Sequence, residues 1–261
     1  MSPTDATGAF RLFRADLHIH TVLSPCGELE MGAPDIVARA LEERLDIIAV
    51  TDHNAADNCP AVIGAAKGTP LVVLPGMEVQ TAEDIHVVCL FGTCEDAFAM
   101  QRQLWLRMPP VKNRSDVFGE QIVVDERNNI VREEEILLVQ GVGYSVDEVV
   151  EMAHERGGIA FLAHIDRHSF AYPEVLGPIP DDFPADALEF SRRLTADEAA
   201  RLKEEYAHRT ILRSSDAHRL EDMGYSFAST YRMEAPTFQE LRLAISGEGG
   251  RGVLWPFGEA E

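Results

Sequence analysis

Short apolar runs alternate along this chain with segments of helical periodicity, and polar residues follow most of the apolar runs. Ile47-Ile48-Ala49-Val50 is the clearest run, and its unbroken aliphatic character is typical of a parallel strand that is buried on both faces. Seven runs have the composition and length of strands: 15–20, 46–51, 71–79, 86–91, 159–164, 187–190 and 210–214. Strands that alternate with helices predict an α/β fold with a largely parallel sheet or barrel.

Helix starts are marked between these runs. Pro34 begins a segment that ends near Leu45, because a fixed φ suits the first helical turn. Three positions have a glutamate three residues later, which is the spacing of a capping box: Ser145, Thr195 and Thr237. Helices are also expected over 56–66 and 95–107. A barrel of 261 residues is normally one domain, so a single domain over 1–261 is predicted.

The stretch 108–143 interrupts this alternation. It contains Pro109-Pro110, Asn128-Asn129 and the acidic run Glu133-Glu134-Glu135 between weak strand and helix signals. Insertions at the loop end of a barrel commonly form lids over a substrate, so one hypothesis is a lid. A solvated excursion without a function is the equally favoured alternative.

Composition limits the classes of partner. No apolar stretch is long enough to span a bilayer, so insertion into a membrane is not expected. The formal net charge of -21 disfavours long nucleic acid, because an acidic surface repels the phosphate backbone, but it does not exclude small phosphates. Residues 1–14 lack the pattern of a secretory signal and the four cysteines show no CxxC spacing, so a cytoplasmic, reduced protein is expected. No feature of the sequence indicates an oligomeric state.

Candidate metal ligands lie beside the apolar runs. His18 and His20 are two residues apart in a predicted strand, so their side chains point to the same face. The carboxyl ends of barrel strands meet at one rim, where ligands that are distant in sequence can converge. The other candidates are Asp52, His53, Glu78, His86, His164, Asp216 and His218.

These residues are sufficient for two or three metal positions. The first would combine two imidazoles with two carboxylates, a donor set suited to Zn, Mn or Fe: His18, His20, Glu78 and Asp216. Glu78 can bridge to a second ion bound by His86 and His164. The candidates for a third are Asp52, His53 and His218. His86 precedes its apolar run, so either its strand runs antiparallel or His86 lies at the far end and makes a structural hydrogen bond.

The ordered set of motifs resembles the PHP family, named for polymerase and histidinol phosphatase. The resemblance extends over roughly 14–218 and rests on Asp16-Leu17-His18-Ile19-His20, Thr51-Asp52-His53, Pro75-Gly76-Met77-Glu78, His86, Ala163-His164 and Ser215-Asp216-Ala217-His218. It implies a distorted (β/α)7 barrel with an inserted segment, forming a single catalytic domain. It also implies a phosphoesterase centre with two or three divalent ions.

The resemblance assigns the third metal to His53 and His218. The family's remaining ligand falls near residues 24–28, where Cys26 or Glu28 must substitute for a histidine or aspartate. The implied reaction is hydrolysis of a small phosphomonoester or nucleotide by a hydroxide that bridges two ions. The predicted catalytic residues are Asp52, His53 and Asp216, with Asp52 orienting His53 or transferring a proton, and with Asp16 behind the first histidine pair.

Phosphate oxygens that do not contact metal usually need arginine. Arg167 and Arg192 follow predicted strands and are the predicted substrate contacts. His168, in the loop after His164, is a third candidate.

Two other functions stay open. Amidohydrolase barrels also begin with an HxH motif, but they often bridge their metals through a modified strand lysine. The lysines here are Lys67, Lys112 and Lys203, and none lies in a predicted strand. The second alternative is a non-catalytic metal-binding module that recruits a partner, which an open rim of intact ligands disfavours.

Overall fold

The computed structural model describes residues 9–257, and all seven predicted strands are present in it. The strands are β1 Arg11–Ile19, β2 Ile47–Val50, β3 Val72–Gln80, β4 His86–Leu90, β5 Ile122–Val124, β6 Ile130–Glu133, β7 Ile159–Leu162, β8 Ala187–Phe190, β9 Ile211–Arg213, β10 Ser229–Met233 and β11 Gly252–Val253. The α-helices are α1 Ala33–Glu42, α2 Cys59–Ala65, α3 Cys94–Trp105, α4 Ser115–Phe118, α5 Val146–Glu155, α6 Tyr172–Leu176, α7 Ala196–Glu205 and α8 Phe238–Ile245.

Nine of these strands form one sheet in the order β11-β10-β1-β2-β3-β4-β7-β8-β9. Strands β1, β2 and β3 are parallel to one another, and so are β7, β8 and β9. The sheet curls until its two sides meet beyond β9, where the Ala217 amide donates to the His18 carbonyl at 3.3 Å and the His20 amide donates to the Ala217 carbonyl at 3.0 Å. The predicted distorted α/β barrel is therefore confirmed.

Strand β4 is antiparallel to both of its neighbours, β3 and β7. Its first residue, His86, consequently lies at the rim where the parallel strands end. The hypothesis of an antiparallel strand is confirmed, and the placement of His86 at the far end of the barrel is wrong.

Strands β10 and β11 were not predicted, and they extend the sheet antiparallel from the side of β1. The sequence Ser229-Thr230-Tyr231-Arg232-Met233 alternates polar and apolar residues and so lacks a continuous apolar run. Tyr231 and Met233 are fully buried, whereas Arg232 is exposed. This one-sided burial is typical of an antiparallel strand that has one face towards solvent.

The core has two layers, which explains the continuous apolar runs. In β2, Ile47 and Ala49 belong to a cluster formed largely by the barrel strands, whereas Ile48 and Val50 pack in the cluster that includes the surrounding helices. All four side chains are completely buried. Burial of both faces removes the polar alternation that a half-exposed strand shows.

Residues 108–143 contain α4 and the two-stranded β5–β6 hairpin, and they pack on loops at the rim. The Ile122 amide donates to the carbonyl of Val22 at 2.9 Å, and the Val142 amide donates to that of Gln80 at 2.8 Å. Gly119 has a φ of 104° and lies so close to the Pro25 carbonyl that a Cβ would be 1.9 Å from its oxygen. The segment therefore contacts the loop that follows β1 as well as the end of β3.

Within residues 9–257, no helix combines the length and the apolar character needed to cross a bilayer.

Candidate metal centre

Glu78, near the end of β3, lies at the centre of a buried cluster of imidazoles. Its Oε1 atom is 2.8 Å from Nδ1 of His86 and 3.2 Å from Nε2 of both His18 and His164. Its Oε2 atom is 3.0 Å from Nδ1 of His53 and 3.4 Å from Nε2 of His20. One carboxylate thus connects ligands supplied by the ends of several strands, which is the position that a bridging ligand requires.

Asp216 supplies the second carboxylate. Its Oδ1 atom is 3.2 Å from Nε2 of His20 and 3.4 Å from Nε2 of His18, while Oδ2 is 2.6 Å from Nη2 of Arg167. Asp216 has a φ of 48°, in the left-handed region that aspartate tolerates better than bulky residues do. The Asp16 carboxylate accepts a hydrogen bond from the Ser215 amide at 3.0 Å and so anchors this segment.

Glu189, on β8, belongs to the cluster although it is not among the residues predicted from the sequence. Its carboxylate oxygens lie 3.1 and 3.2 Å from Nδ1 of His18, which directs Nε2 of that ring towards Glu78 and Asp216. A carboxylate partner of this kind fixes the tautomer of a ligating histidine. The available signal was a charged residue inside the fully buried strand Ala187–Phe190.

Asp52 lies behind His20 rather than beside the ring of His53. Its Oδ1 atom accepts hydrogen bonds from the Thr21 amide and the Ser24 hydroxyl, both at 2.7 Å, and Oδ2 accepts from the Thr21 hydroxyl at 2.8 Å. The Ser24 oxygen lies 2.9 Å from Nδ1 of His20. Because the Ser24 proton goes to Asp52, its oxygen accepts from His20, and Nε2 of His20 is left for a ligand.

Cys26 lies in a turn that follows β1. The Gly27 amide donates to the Ser24 carbonyl at 2.8 Å, with Pro25 and Cys26 as the central residues. The Sγ atom of Cys26 is 3.2 Å from Nε2 of His53. Glu28, the other candidate at this point, instead directs its side chain towards Arg219 at 3.8 Å.

The charges in the cluster oppose the cost of burial. Burial lowers the pKa of His18, but the carboxylates of Glu189, Glu78 and Asp216 outweigh this effect and hold the pKa well above 6.5. Burial also raises the pKa of Glu78, but the surrounding histidines outweigh this effect and hold that pKa well below 4.5. His86 differs, since burial dominates and lowers its pKa to about 4.

The pKa of Cys26 is low for a thiol. Burial raises it, but His53 and His218 together outweigh that effect and lower the pKa to about 5. Cys26 is the most exposed of the four cysteines, so this thiolate faces the pocket.

The donor atoms fit divalent cations. Three groups have ligand atoms within 4.8 Å of one another: His18, His20, Glu78 and Asp216; His53, Glu78 and His86; and His20, His53 and His218. Within residues 9–257, four buried atoms of the cluster make no hydrogen bond of good geometry, although two of them lie close to oppositely charged groups: Nδ1 of His53, Nε2 of His86, Nδ1 of His164 and Oδ1 of Asp216. Buried polar atoms are rarely left unpaired, and cations would satisfy several of these donors at once.

The cluster opens into a pocket of about 340 Å³, whose wall includes Phe170 and, from the segment 108–143, Val139. A neighbouring pocket of about 290 Å³ shares Cys26, Asp216 and His218 with it and contains four arginines: Arg167, Arg192, Arg193 and Arg219. Arg167 lines both pockets, and Arg192 pairs with Asp222. The His168 side chain is 96% exposed, contacts Glu174 at 3.3 Å and lies outside both pockets.

The metal-free protein is expected to lose thermal stability as the pH rises above 6.5. Burial lowers the pKa of His18 and His20, but the net folded-state pKa of each is raised above 6.5. Their contribution to the free energy of unfolding is therefore complete below pH 6.5 and is lost as the pH rises through the raised pKa. The pKa of Cys26 is lowered and that of His53 is raised, so their contributions to the pH dependence of stability oppose each other. Metal binding requires deprotonated ligands, so the metal-loaded protein should not share this decline. Thermal unfolding from pH 6.5 to 9, with chelator or with zinc, measures both trends; equal slopes would contradict the expectation.

The rim of the barrel carries clustered imidazoles and carboxylates, a donor set that can hold divalent metal ions. The chain belongs to the PHP family, because the model of the PHP domain matches residues 16–209. The family model thus includes all the described ligands except Asp216 and His218, which follow the matched range. No curated protein sequence matches this chain.

Several solved structures share the fold. Endonuclease Q from Pyrococcus furiosus, a lesion-specific endonuclease, is 18% identical with a TM-score of 0.66, and the alignment covers 93% of this chain and 58% of that chain. A candidate metal-dependent phosphoesterase from Bifidobacterium adolescentis is 19% identical with a TM-score of 0.55, covering 78% and 87% of the two chains. An amidohydrolase from Chromobacterium violaceum is 16% identical with a TM-score of 0.56, covering 93% and 98%. At these identities the similarity establishes the fold.

Proposed function

We propose that this protein hydrolyses a small phosphate ester, either a phosphomonoester or a nucleotide, with the help of two or three divalent ions. The observation that carries the proposal is the Glu78-centred cluster beside a pocket with four arginines. Four arginines line this pocket of a chain whose formal net charge is -21. Arg167, Arg192 and Arg219 pair there with the carboxylates of Asp216, Asp222 and Glu28, and their remaining N–H groups could bind an anion.

The first set of proposed ligands is one of the close-packed donor groups, whereas the second follows the family resemblance, because the donor distances group His53 rather than His164 with Glu78 and His86. One ion would be held by His18, His20, Glu78 and Asp216, and a second by Glu78, His86 and His164, with His53 and His218 left for a third. Histidine and carboxylate donors of this kind accept Zn, Mn or Fe. Bound ions would neutralise charge on the phosphate and make water acidic enough to react near neutral pH.

The side chains around the cluster have distinct proposed roles. Arg167 extends between the two pockets from Asp216, so its guanidinium is placed to contact phosphate oxygens that the ions do not bind. Arg192 is fixed by Asp222 at the wall of the second pocket. Asp52 acts by holding Ser24 and, through it, the ring of His20.

The inserted segment 108–143 is proposed to cover part of the substrate. Asn54, which follows His53, donates from Nδ2 to the carbonyls of Leu138 and Gln140 at 2.7 and 2.9 Å. These bonds position Val139 in the wall of the pocket above the cluster. An apolar side chain there would pack against the organic part of a phosphate ester and exclude water from it.

The size of the pocket and the charge of the chain favour a small substrate. A pocket of about 340 Å³ suits a molecule of nucleotide size rather than a duplex. The acidic surface should repel a long polyanion. Endonuclease Q has nonetheless been solved with a 27-mer duplex that has an abasic lesion at the active site, so oligonucleotides belong in any substrate test.

A substrate panel tests the proposal. Protein loaded with zinc or with manganese should hydrolyse a phosphomonoester or a mononucleotide faster than a short oligonucleotide, and salt should change the turnover of the small ester little. His20→Ala should abolish turnover while circular dichroism shows an intact fold.

Three outcomes would contradict the proposal. Preferred cleavage of oligonucleotides with a steep loss in salt would indicate a nuclease. Hydrolysis of amides alone would indicate an amidohydrolase. Metal binding without any turnover would indicate a non-catalytic module.

A further inference from the structure

We propose that Cys26, His53 and His218 form a sulfur-containing metal position that selects zinc, next to the positions around Glu78 that have only nitrogen and oxygen donors. This inference rests on the metal-dependent function proposed above and specifies the composition of its metal centre. Its consequence is a centre in which the positions differ in metal preference.

The three side chains converge at the mouth of the site. The Sγ atom of Cys26 lies 3.2 Å from Nε2 of His53, whose side chain is almost entirely buried. His218 directs Nδ1 to the Asp216 carbonyl at 3.0 Å, which leaves Nε2 for a ligand. Cys26, Asp216 and His218 line both pockets, so an ion held here would be reachable by substrate.

The ring of His20 connects this position to the rest of the cluster. Its centroid is 4.5 Å from that of His53 and 4.2 Å from that of His218. Donor atoms of these three histidines lie within 4.8 Å of one another. The nitrogen donors of the proposed position are thus gathered independently of Cys26.

The turn that presents Cys26 is rigid. Pro25 has a fixed φ, and Gly27 is required because a Cβ there would lie 2.7 Å from the Thr21 carbonyl oxygen. Ser24, the first residue of the turn, is held by Asp52 and also accepts a hydrogen bond from the His53 amide at 3.2 Å. The same residue therefore fixes both Cys26 and the backbone of His53, which is the organisation expected of a preformed ligand pair.

The donor chemistry determines the selectivity. A thiolate is a soft ligand that favours zinc over manganese or magnesium, and zinc accepts sulfur and nitrogen donors in a four-coordinate site. Cys26, His53 and His218 provide three donors, which leaves one coordination place towards the pocket. The positions around Glu78 lack sulfur, and their imidazole and carboxylate donors accept manganese as well as zinc.

Cobalt-substituted protein provides the test, because a thiolate bound to Co²⁺ produces a near-ultraviolet charge-transfer absorption that nitrogen and oxygen ligands do not. The wild-type protein should show this band, and Cys26→Ser should lose it. Zinc content measured after dialysis should fall by one ion per chain in Cys26→Ser, whereas manganese content should not change. Cys26→Asp should restore the ion count without the band.

Cys94→Ser is the matched control. Cys94 is the first residue of α3, which follows the end of β4 opposite His86, so it lies away from the cluster. It should retain both the band and the zinc content. A thiol-alkylation assay adds a readout that is independent of cobalt: zinc should protect Cys26 from alkylation, and manganese should not.

Two results would overturn the inference. The first is a cobalt spectrum that is identical in wild type and Cys26→Ser. The second is equal alkylation of Cys26 with and without zinc. Turnover of manganese-loaded protein tests the proposed function separately, since it needs only the positions around Glu78. A protein that shows the band but hydrolyses no phosphate ester would therefore retain the metal assignment and refute the proposed function.

Discussion

Glu78→Gln is expected to lower the turnover of phosphate esters about 10³-fold, because metal ions contribute several kcal/mol of transition-state stabilisation that the variant loses. The carboxylate of Glu78 lies within 3.4 Å of five imidazoles: His18, His20, His53, His86 and His164. A neutral amide has nearly the same shape but cannot bridge two cations. Metal content and kcat should therefore fall together.

The control for this variant is Glu151→Gln, an exposed carboxylate on α5. This variant removes one negative charge, as Glu78→Gln does, but the side chain lies outside the cluster. It should therefore keep wild-type turnover and metal content. If Glu78→Gln kept full turnover with its metal bound, the assignment of Glu78 as the shared ligand would be incorrect.

Glu189→Gln is expected to weaken metal binding about 10- to 100-fold, the range typical of removing the partner of a ligating histidine. Glu189 is fully buried, and its carboxylate contacts Nδ1 of His18 at 3.1 Å and accepts from the His164 amide at 3.2 Å. Glutamine can still accept these bonds but lacks the charge that makes His18 a stronger donor. Competition with a chelator of known affinity measures the loss.

Glu189 acts through His18, so its effect should depend on the metal concentration. At saturating zinc, most of kcat should return, which would not occur for a residue that contacts the reacting phosphate. Glu204→Gln, on the exposed surface of α7, is the matched control. An unchanged metal affinity in Glu189→Gln would contradict the positioning role.

The candidate metal ligands were recognisable from the sequence because they depend on local pattern. His18 and His20 are two residues apart at the end of β1, and Glu78 and His164 lie near or just beyond strand ends. Their order along the chain carried the resemblance to the PHP family, whose model matches residues 16–209. The structure brings these side chains together as the motif order implied.

Other residues of the site were not accessible, because their roles depend on contacts between distant segments. Glu189 is 171 residues away from His18, and no local pattern connects them. Asp52 was predicted to orient His53 or to transfer a proton; in the structure its carboxylate accepts hydrogen bonds from Thr21 and Ser24. The choice between Cys26 and Glu28 similarly depends on which side chain the turn directs to His53.

The sequence by itself determined the α/β class, the seven strands recognised by their apolar runs and the residue types of a metal centre, because burial and periodicity are properties of short segments. Only the tertiary structure decided that β4 runs antiparallel, that β10 and β11 extend the sheet, and that Glu189 supports His18. These features depend on pairing between strands and on contacts across the barrel, where many segments have similar local preferences and only their joint packing distinguishes one arrangement.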